Sequence, residues 1–165
     1  MPGMAAGSTY TVERSTTVRA EPERVFEQIV DFRRWPAWSP WEDVDPDLQR
    51  AYSGPAEGIG SVYEWNGNRK AGAGRMAIIE ADRPGGVVID LRFLKPFKSH
   101  NAIGAIGFTL EPQEGAETRV TWTMTGPRSL AVKVMGVFTS MDKLVGGDFE
   151  KGLSRLKAVV ESPAA

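Results

Sequence analysis

The stretch from Ser140 to Lys157, SMDKLVGGDFEKGLSRLK, decides the fold, because it belongs to one long amphipathic helix near the end of the chain. Apart from one seven-residue gap, apolar residues recur at three- and four-residue steps, which is the spacing of a single helical face. The pattern predicts a helix that begins near Leu130 and ends at about Glu161. A helix of this length needs a large apolar partner to cover one face. That face comprises Leu130, Val134, Phe138, Met141, Val145, Phe149, Leu156 and Val160.

Three glycines interrupt this helix, although each costs about 1 kcal/mol relative to alanine. With about 100° of rotation per residue, Gly152 falls at the centre of the apolar face. It therefore either permits close packing of the backbone or leaves space for a ligand. Gly146 and Gly147 fall off the centre of that face, and we expect them to loosen or bend the helix.

Seven segments with strand character precede the helix. Tyr10–Ala20 is the first, and a short helix that begins at Pro22 and ends at about Phe32 follows it. A second short helix or turn carries the tryptophans of RWPAWSPWED. This order predicts an α+β arrangement, a curved antiparallel sheet of about seven strands wrapped around the C-terminal helix, with two short helices after the first strand. Turn residues separate the other six strand segments, which are LQRAYSG, GSVYEWNG, GRMAIIEADRP, GVVIDLRFLKP, HNAIGAIGFTLEP and ETRVTWTMTG.

Composition excludes several classes of function. The 165 residues suit one domain, predicted over residues 9–161 with flexible ends at 1–8 and 162–165. A net charge of −1 without a basic block argues against a nucleic-acid partner. The absence of cysteine and the single histidine argue against a metal site, and no cofactor is expected. No apolar run reaches the roughly 20 residues of a membrane span, and no signal peptide is recognised, so we expect a cytoplasmic protein.

Several segments, taken in order, resemble those of a known superfamily. They are RWPAWSPWED, GSVYEWNGN, LKPFKSHN, ETRVTWTMTG and MDKLVGGDFEKGLSRLK. Over residues 10–160 the chain resembles the SRPBCC (START-like, helix-grip) superfamily, and within it the polyketide cyclase/dehydrase-like group. The resemblance implies a hollow between the sheet and the long helix. It implies no single activity, because the superfamily includes lipid and hormone carriers, aromatase/cyclases and stress-response proteins.

Strand alternation predicts which side chains face this hollow. In GRMAIIEA the pattern leaves two choices, either Met76 with Ile78 or Ala77 with Ile79. The set is mostly apolar with a few polar groups, which is typical of a small-molecule site, although the same side chains could simply fill the core. The predicted ligand-binding residues are Trp38, Tyr63, Trp65, Met76, Ile89, Leu91, Phe93, Ile106, Phe108, Trp122, Met124, Phe138, Met141, Val145 and Phe149.

The tryptophans of RWPAWSPWED have two interpretations. Trp35 and Trp38 are three residues apart and can share a helical face, whereas Trp41 follows a proline. The three rings either close one end of the hollow or form part of a ligand mouth.

Three residues are candidates for acid–base chemistry, namely His100, Asp148 and Tyr63. His100 titrates near neutrality, but its position near the start of a strand is also typical of a surface residue. Asp148 lies at the edge of the apolar helix face. It is predicted either to pair with a basic residue of the sheet, such as Arg75 or Arg92, or to act as a polar group of the cavity.

The preferred functional hypothesis is binding of a hydrophobic small molecule, such as a lipid, polyketide or aromatic metabolite, without an assigned reaction. A polyketide cyclase/dehydratase that uses pocket acid–base residues is the alternative. An interaction module that binds no ligand is the second alternative. A homodimer is compatible with the free edges of an antiparallel sheet, although nothing in the sequence requires one.

Overall fold

The computed structural model describes residues 9–43, 45–68, 72–95, 103–127 and 141–162. One antiparallel sheet contains all seven strands of these ranges, in the order β1-β7-β6-β5-β4-β3-β2. The strands are β1 Thr9–Val18, β2 Gln49–Ser53, β3 Val62–Asn66, β4 Ala73–Asp82, β5 Gly86–Lys95, β6 Ile103–Gln113 and β7 Glu117–Pro127. The helices are α1 Pro22–Ile29, the 3₁₀ helices η1 Phe32–Ala37 and η2 Pro40–Asp43, and the C-terminal helix α2 Met141–Glu161.

This architecture confirms the predicted fold class, an α+β arrangement of seven antiparallel strands with a long C-terminal helix. The first short helix ends at Ile29 rather than near Phe32. The chain turns there because the Asp31 side chain accepts a hydrogen bond from the backbone of Arg33 and caps η1. The predicted start of the long helix near Leu130 lies outside the described residues.

The C-terminal helix α2 lies across one face of the sheet, which we call the inner face. Its buried residues repeat at three- and four-residue steps, as an amphipathic helix requires. They are Phe149, Leu153, Leu156 and Val160, each no more than 2% exposed. Burial of such side chains contributes roughly 2 kcal/mol each and holds the helix on the sheet.

The inner face is the one that strand alternation predicts. On β7 the residues Val120, Trp122 and Met124 are buried, and on β3 Tyr63 is buried whereas its neighbour Glu64 is exposed. The choice on β4 falls on Met76 and Ile78, which are buried, while Ile79 is 50% exposed. A β-bulge between Ile78 and Glu80 shifts the register just beyond this point. Further inner-face positions that are buried as predicted are Ile89, Leu91, Ile106 and Phe108, and Gly104 and Leu110 of the same face of β6 are buried with them.

The last turn of α2 covers part of the free edge of β1. Lys157 Nζ donates a hydrogen bond to the carbonyl oxygen of Thr17 at 2.9 Å. The backbone N–H of Arg19, just past the strand, donates to Glu161 Oε2 at 2.7 Å. These contacts satisfy backbone groups that an exposed edge would offer to another chain.

Candidate ligand site on the inner face

Side chains on the inner face form rows that cross the strands, and three neighbouring rows differ in side-chain size. We call them the aromatic, aliphatic and glycine rows. The aromatic row contains Arg14, Trp122, Phe108 and Val87 in register. The aliphatic row contains Val12, Met124, Ile106, Ile89 and Ile78. From β1 to β3 the glycine row contains Tyr10, Gly126, Gly104, Leu91, Met76 and Tyr63, and Tyr52 of β2 pairs with Tyr63 beyond it.

The aromatic row is filled by the protein itself. Trp122 stacks on Phe149 of α2, with ring centroids 4.2 Å apart and planes inclined by 6°. Its other side meets Phe108 at 5.0 Å, while Trp38 and Trp41 approach edge-on at 5.5 Å each. Such pairs contribute about 1 kcal/mol each beyond the area that they bury. At this end of the fold, side chains occupy the space between helix and sheet.

Gly152 allows the helix to approach this cluster. A Cβ atom at Gly152 would lie 2.7 Å from Cζ3 of Trp122 and 2.9 Å from Cδ of Pro40. Both distances are shorter than van der Waals contact, so no other residue fits without displacing a ring. Of the two roles predicted for Gly152, close packing of the backbone is therefore confirmed.

The two other glycines of α2 differ from one another. Gly146 is buried against the guanidinium group of Arg14, which a Cβ atom would strike. The same Arg14 donates through Nε to Glu150 Oε2 at 2.8 Å, so Gly146 makes room for an ion pair between β1 and α2. Gly147 is exposed with nothing within 4 Å of its Cβ position. The helix runs through both glycines without interruption.

The tryptophans after α1 pack as structural residues. Trp35 and Trp38 share a face as predicted, with ring centroids 4.7 Å apart. Trp35 Nε1 donates to the carbonyl oxygen of Ile29 at 2.9 Å, and Trp38 Nε1 donates to that of Gln28 at 3.1 Å. These bonds fasten η1 and the residue after it to the end of α1, and the two rings are at most 3% exposed.

Asp148 has a partner other than the predicted ones. Its Oδ2 accepts a hydrogen bond at 3.1 Å from Nε1 of Trp41, which belongs to η2. In the contacts that the structure describes, neither Arg75 nor Arg92, the two basic residues suggested as partners, is bound to Asp148. Arg92 binds Asp90 at 2.9 Å, and Arg75 alternates with the inner-face residue Met76 and so lies on the other side of β4. Asp148 thus joins α2 to η2 beside the aromatic row.

The glycine row carries an unpartnered hydroxyl group. Tyr10 is only 8% exposed, and within the described part of the chain its Oη has no hydrogen-bond partner. The ring lies over Gly126, where a Cβ atom would be 2.9 Å from Oη. Burial raises the pKa of Tyr10 to about 12, so at neutral pH the hydroxyl is a hydrogen-bond donor. Continuing the β6–β7 register by one step places Gly104 level with Gly126.

Sequence reasoning missed Tyr10 and Gly126. The signal was available, because Tyr10 has the same strand parity as the buried Val12, and Gly126 the same parity as Met124. A tyrosine at the start of a strand and a glycine at the end of another gave no indication that they are neighbours. Their pairing is a property of the sheet register.

The opposite flank of the glycine row is aromatic. Tyr63 and Trp65 of β3 stack with centroids 5.9 Å apart and planes inclined by 22°. The indole of Trp65 lies over Gly74, whose Cβ position it occupies, so this glycine is covered by the protein. Tyr63 also meets Phe32 of η1 at 5.9 Å. The row therefore runs from a tyrosine hydroxyl at one edge to stacked rings near the other.

The three candidates for acid–base chemistry are not brought together by any contact that the structure describes. Asp148 binds Trp41 beside the aromatic row, whereas Tyr63 packs on Phe32 and Trp65. His100 lies outside the described residues. Among the predicted ligand-binding residues, Phe138 also lies outside them, as do the side chains of Phe93, Met141 and Val145.

A concavity lies at the surface between β1 and α2, with a volume of about 250 Å³. Its charged residues are already engaged, since Glu150 binds Arg14 and Lys157 binds Glu161. It is an open groove outside the sheet–helix interior. Its lining consists of Ser15, Thr16, Glu150, Leu153, Ser154 and Lys157.

Two further features bear on the class of site. Among the residues that the structure describes, no cluster of three or more His, Cys, Asp and Glu side chains could hold a metal ion. In the same ranges, no helix has both the length and the apolar character needed to cross a membrane.

A seven-stranded antiparallel sheet with a long C-terminal helix across its inner face defines a helix-grip protein. Residues 9–161 match the family described as polyketide cyclase / dehydrase and lipid transport, and the chain belongs to this family. No curated protein matches the chain.

Solved structures share this fold at low sequence identity. Protein CV1439 from Chromobacterium violaceum is 14% identical, with 93% of this chain and 98% of that chain covered and a TM-score of 0.64. Ara h 8.0201 is 13% identical, with 94% of this chain and 99% of that chain covered and a TM-score of 0.63. The Aha1 dimer from Colwellia psychrerythraea is 18% identical, with 92% of this chain and 96% of that chain covered and a TM-score of 0.62. At these identities the likeness extends to the fold alone.

Proposed function

We propose that the protein binds a hydrophobic small molecule, such as a lipid, polyketide or aromatic metabolite, against the glycine row, without an assigned reaction. One observation carries the proposal, namely the loss of side-chain volume along the inner face. The aromatic row is filled by stacked rings, whereas the glycine row has Gly126 and Gly104 at level positions on adjacent strands. Because the Tyr10 ring already covers Gly126, the room proposed for an apolar guest lies at Gly104, beside the aliphatic row.

The surroundings of the glycine row suit an apolar guest. Leu91 and Met76 continue the row, and Met124 and Ile106 precede it in the aliphatic row. Ligand sites are usually lined by apolar side chains with a few polar groups that fix orientation. Methionine adapts its shape to varied partners, which suits a site for flexible hydrophobic molecules.

The proposal divides the predicted ligand-binding residues into two groups. Those around the glycine row are retained, namely Tyr63, Trp65, Met76, Ile89, Leu91, Ile106 and Met124. Those in the filled aromatic end are assigned to the core, namely Trp38, Phe108, Trp122 and Phe149. Phe93, Phe138, Met141 and Val145 remain predicted ligand contacts.

The alternative function is a polyketide cyclase/dehydratase, which the family description favours. Such chemistry needs an acid or base that reaches the substrate. Asp148 is held by Trp41 beside the filled aromatic row, so it is a poor choice for that role. Tyr63 is the candidate that lies in the glycine row.

A pair of leucine substitutions on β6 tests the binding proposal. Gly104→Leu places a side chain in the glycine row, whereas Ala105→Leu places the same side chain on the other face of the sheet. Native mass spectrometry should show co-purified lipophilic molecules on the wild-type protein and on Ala105→Leu, and less or none on Gly104→Leu. Gly104→Ala serves as the milder variant if leucine prevents folding. Equal ligand occupancy in folded variants of both positions, or an empty wild-type protein that no lipophile stabilises, would reject the proposal.

A further inference from the structure

Two buried polar atoms have no hydrogen-bond partner in the described part of the chain, Tyr10 Oη and Trp122 Nε1. Trp122 is stacked between Phe108 and Phe149, where rings fill the surroundings. Tyr10 is different, because its hydroxyl group lies over a residue without a side chain. A buried hydroxyl without a partner costs about as much as a lost hydrogen bond, so it needs an explanation.

We propose that the Tyr10 hydroxyl donates a hydrogen bond to a neutral carbonyl oxygen of the bound hydrophobic ligand. This inference rests on the proposed function and specifies the ligand class as a hydrophobic ketone, ester or amide. Oη lies over Gly126, and Gly104 is level with Gly126 on the next strand, about 4.8 Å away. The hydroxyl, which is enclosed in the ligand-free protein, therefore lies one strand away from the side-chain position that is missing at Gly104.

The charge of the row selects a neutral acceptor. None of the six residues of the glycine row carries a charge at neutral pH. The nearest cation on the same side of β1, Arg14, lies two rows away and is bound to Glu150. Among the residues that the structure describes, a carboxylate buried against the glycine row would thus find no counter-charge within the row, which is costly. A carbonyl oxygen needs only the donor that Tyr10 supplies.

Gly126 is a positioning residue in this arrangement. Any side chain there would press on the Tyr10 ring, since even a Cβ atom would lie 2.9 Å from Oη and 3.0 Å from Cε2. The glycine thereby lets the ring lie flat on β7 with its hydroxyl directed along the row. The pairing of Tyr10 with Gly126 in the β1–β7 register keeps the two residues opposite one another.

The test uses two probes of the same shape, 9-fluorenone, which has a carbonyl group, and fluorene, which has none. Their affinities for wild-type protein, Tyr10→Phe and Tyr52→Phe are measured by isothermal titration calorimetry. Tyr52→Phe removes a hydroxyl from the far edge strand β2 and is the matched control. Tyr10→Phe should weaken fluorenone binding about fivefold and leave fluorene binding unchanged, as expected for one neutral hydrogen bond. Tyr52→Phe should change neither affinity.

Infrared spectroscopy measures the carbonyl frequency of the bound ligand, which would not change if Tyr10 had only a structural role. The carbonyl stretch of bound fluorenone should fall below its value in hexane on the wild-type protein, and return towards that value on Tyr10→Phe. If Tyr10→Phe weakens both probes equally or neither, or if the carbonyl frequency is the same on both proteins, the Tyr10 inference is wrong while ligand binding stands. If neither probe binds the wild-type protein, this inference fails, and the proposed function fails with it if no other lipophile stabilises the protein.

Discussion

Trp122 of β7 and Phe149 of α2 lie parallel, with ring centroids 4.2 Å apart and planes inclined by 6°. This contact sets where the C-terminal helix rests on the sheet, because Trp122 is also held by Phe108 and by Trp38. The protein's own rings thus fill the aromatic row, and the glycine row is where we propose that a guest is bound.

Alanine substitutions at two glycines of α2 should have opposite effects on stability. Gly152→Ala would place a Cβ atom 2.7 Å from Trp122 and 2.9 Å from Pro40, and we expect a loss of about 1–3 kcal/mol from overpacking. Gly147→Ala meets nothing within 4 Å on an exposed face and should gain up to about 1 kcal/mol from helix propensity. Urea unfolding of both variants measures the difference. A stabilised Gly152→Ala protein would show that Gly152 is not a packing glycine.

The hydrogen bond between Asp148 and Trp41 should contribute to stability through geometry rather than through charge. Asp148→Asn keeps an acceptor oxygen for Trp41 Nε1 and should change the free energy of unfolding little. Asp148→Ala and Trp41→Phe each remove the bond, and their double-mutant cycle should give a coupling of about 1 kcal/mol. The cycle is measured by urea unfolding. A coupling near zero would mean that the 3.1 Å contact contributes nothing in solution.

The fold could be predicted from the sequence because its signals are local. Alternation assigned the inner face of β7 through Trp122, and turn residues separated the strands. The helical period likewise identified Gly152 as the glycine that faces the sheet. Each of these signals depends on a few neighbouring residues and on the periods of helix and strand.

The site was less predictable because it depends on register between distant strands. Tyr10 and Gly126 are partners only because β1 pairs with β7, and no short-range pattern fixes that register. The hydrogen-bond partner of Asp148 was not predicted from the sequence for a related reason. The expected partner was a charged residue of the sheet, whereas η2 brings the indole N–H of Trp41 to the carboxylate. The path of an irregular segment of this kind is set by packing.

The end of α2 should make stability sensitive to acid. A hydrogen bond from Lys157 Nζ at 2.6 Å, and one from the backbone N–H of Arg19, hold the pKa of Glu161 below its ordinary value of 4.5. The unfolded chain therefore binds this proton at a higher pH than the folded chain does. The contribution of Glu161 is complete above about pH 4.5 and is lost as the pH falls through the lowered pKa. The stability difference between wild type and Glu161→Gln should accordingly shrink below pH 4.5.

Urea unfolding between pH 7 and pH 3 measures this difference, and Lys157→Met is the control. Lys157→Met removes the hydrogen bond from Lys157 to Glu161 and should return the pKa of Glu161 towards its ordinary value in a carboxyl NMR titration. Added salt should weaken the effect, because the Lys157 side chain is 38% exposed. A difference between wild type and Glu161→Gln that stays constant with pH would contradict the assignment.

The same hydroxyl that is proposed to hold a ligand should destabilise the empty protein. Tyr10→Phe removes a buried O–H group that has no partner in the described part of the chain, and it leaves the ring on Gly126 unchanged. We expect the ligand-free variant to be more stable than wild type by about 1 kcal/mol, because the buried hydroxyl loses its water without gaining a bond. Urea unfolding of delipidated protein measures this change, and Tyr52→Phe on the half-buried edge strand should have little effect.

Saturating fluorenone should remove this difference in stability between wild type and Tyr10→Phe. The ligand stabilises whichever folded protein binds it more tightly, so wild type gains more than Tyr10→Phe. At a concentration well above both dissociation constants, a fivefold difference in affinity corresponds to about 1 kcal/mol, which offsets the penalty of the buried hydroxyl. If Tyr10→Phe is less stable than wild type without ligand, Tyr10 has a structural hydrogen-bond partner, and the hydroxyl group serves the fold rather than a guest.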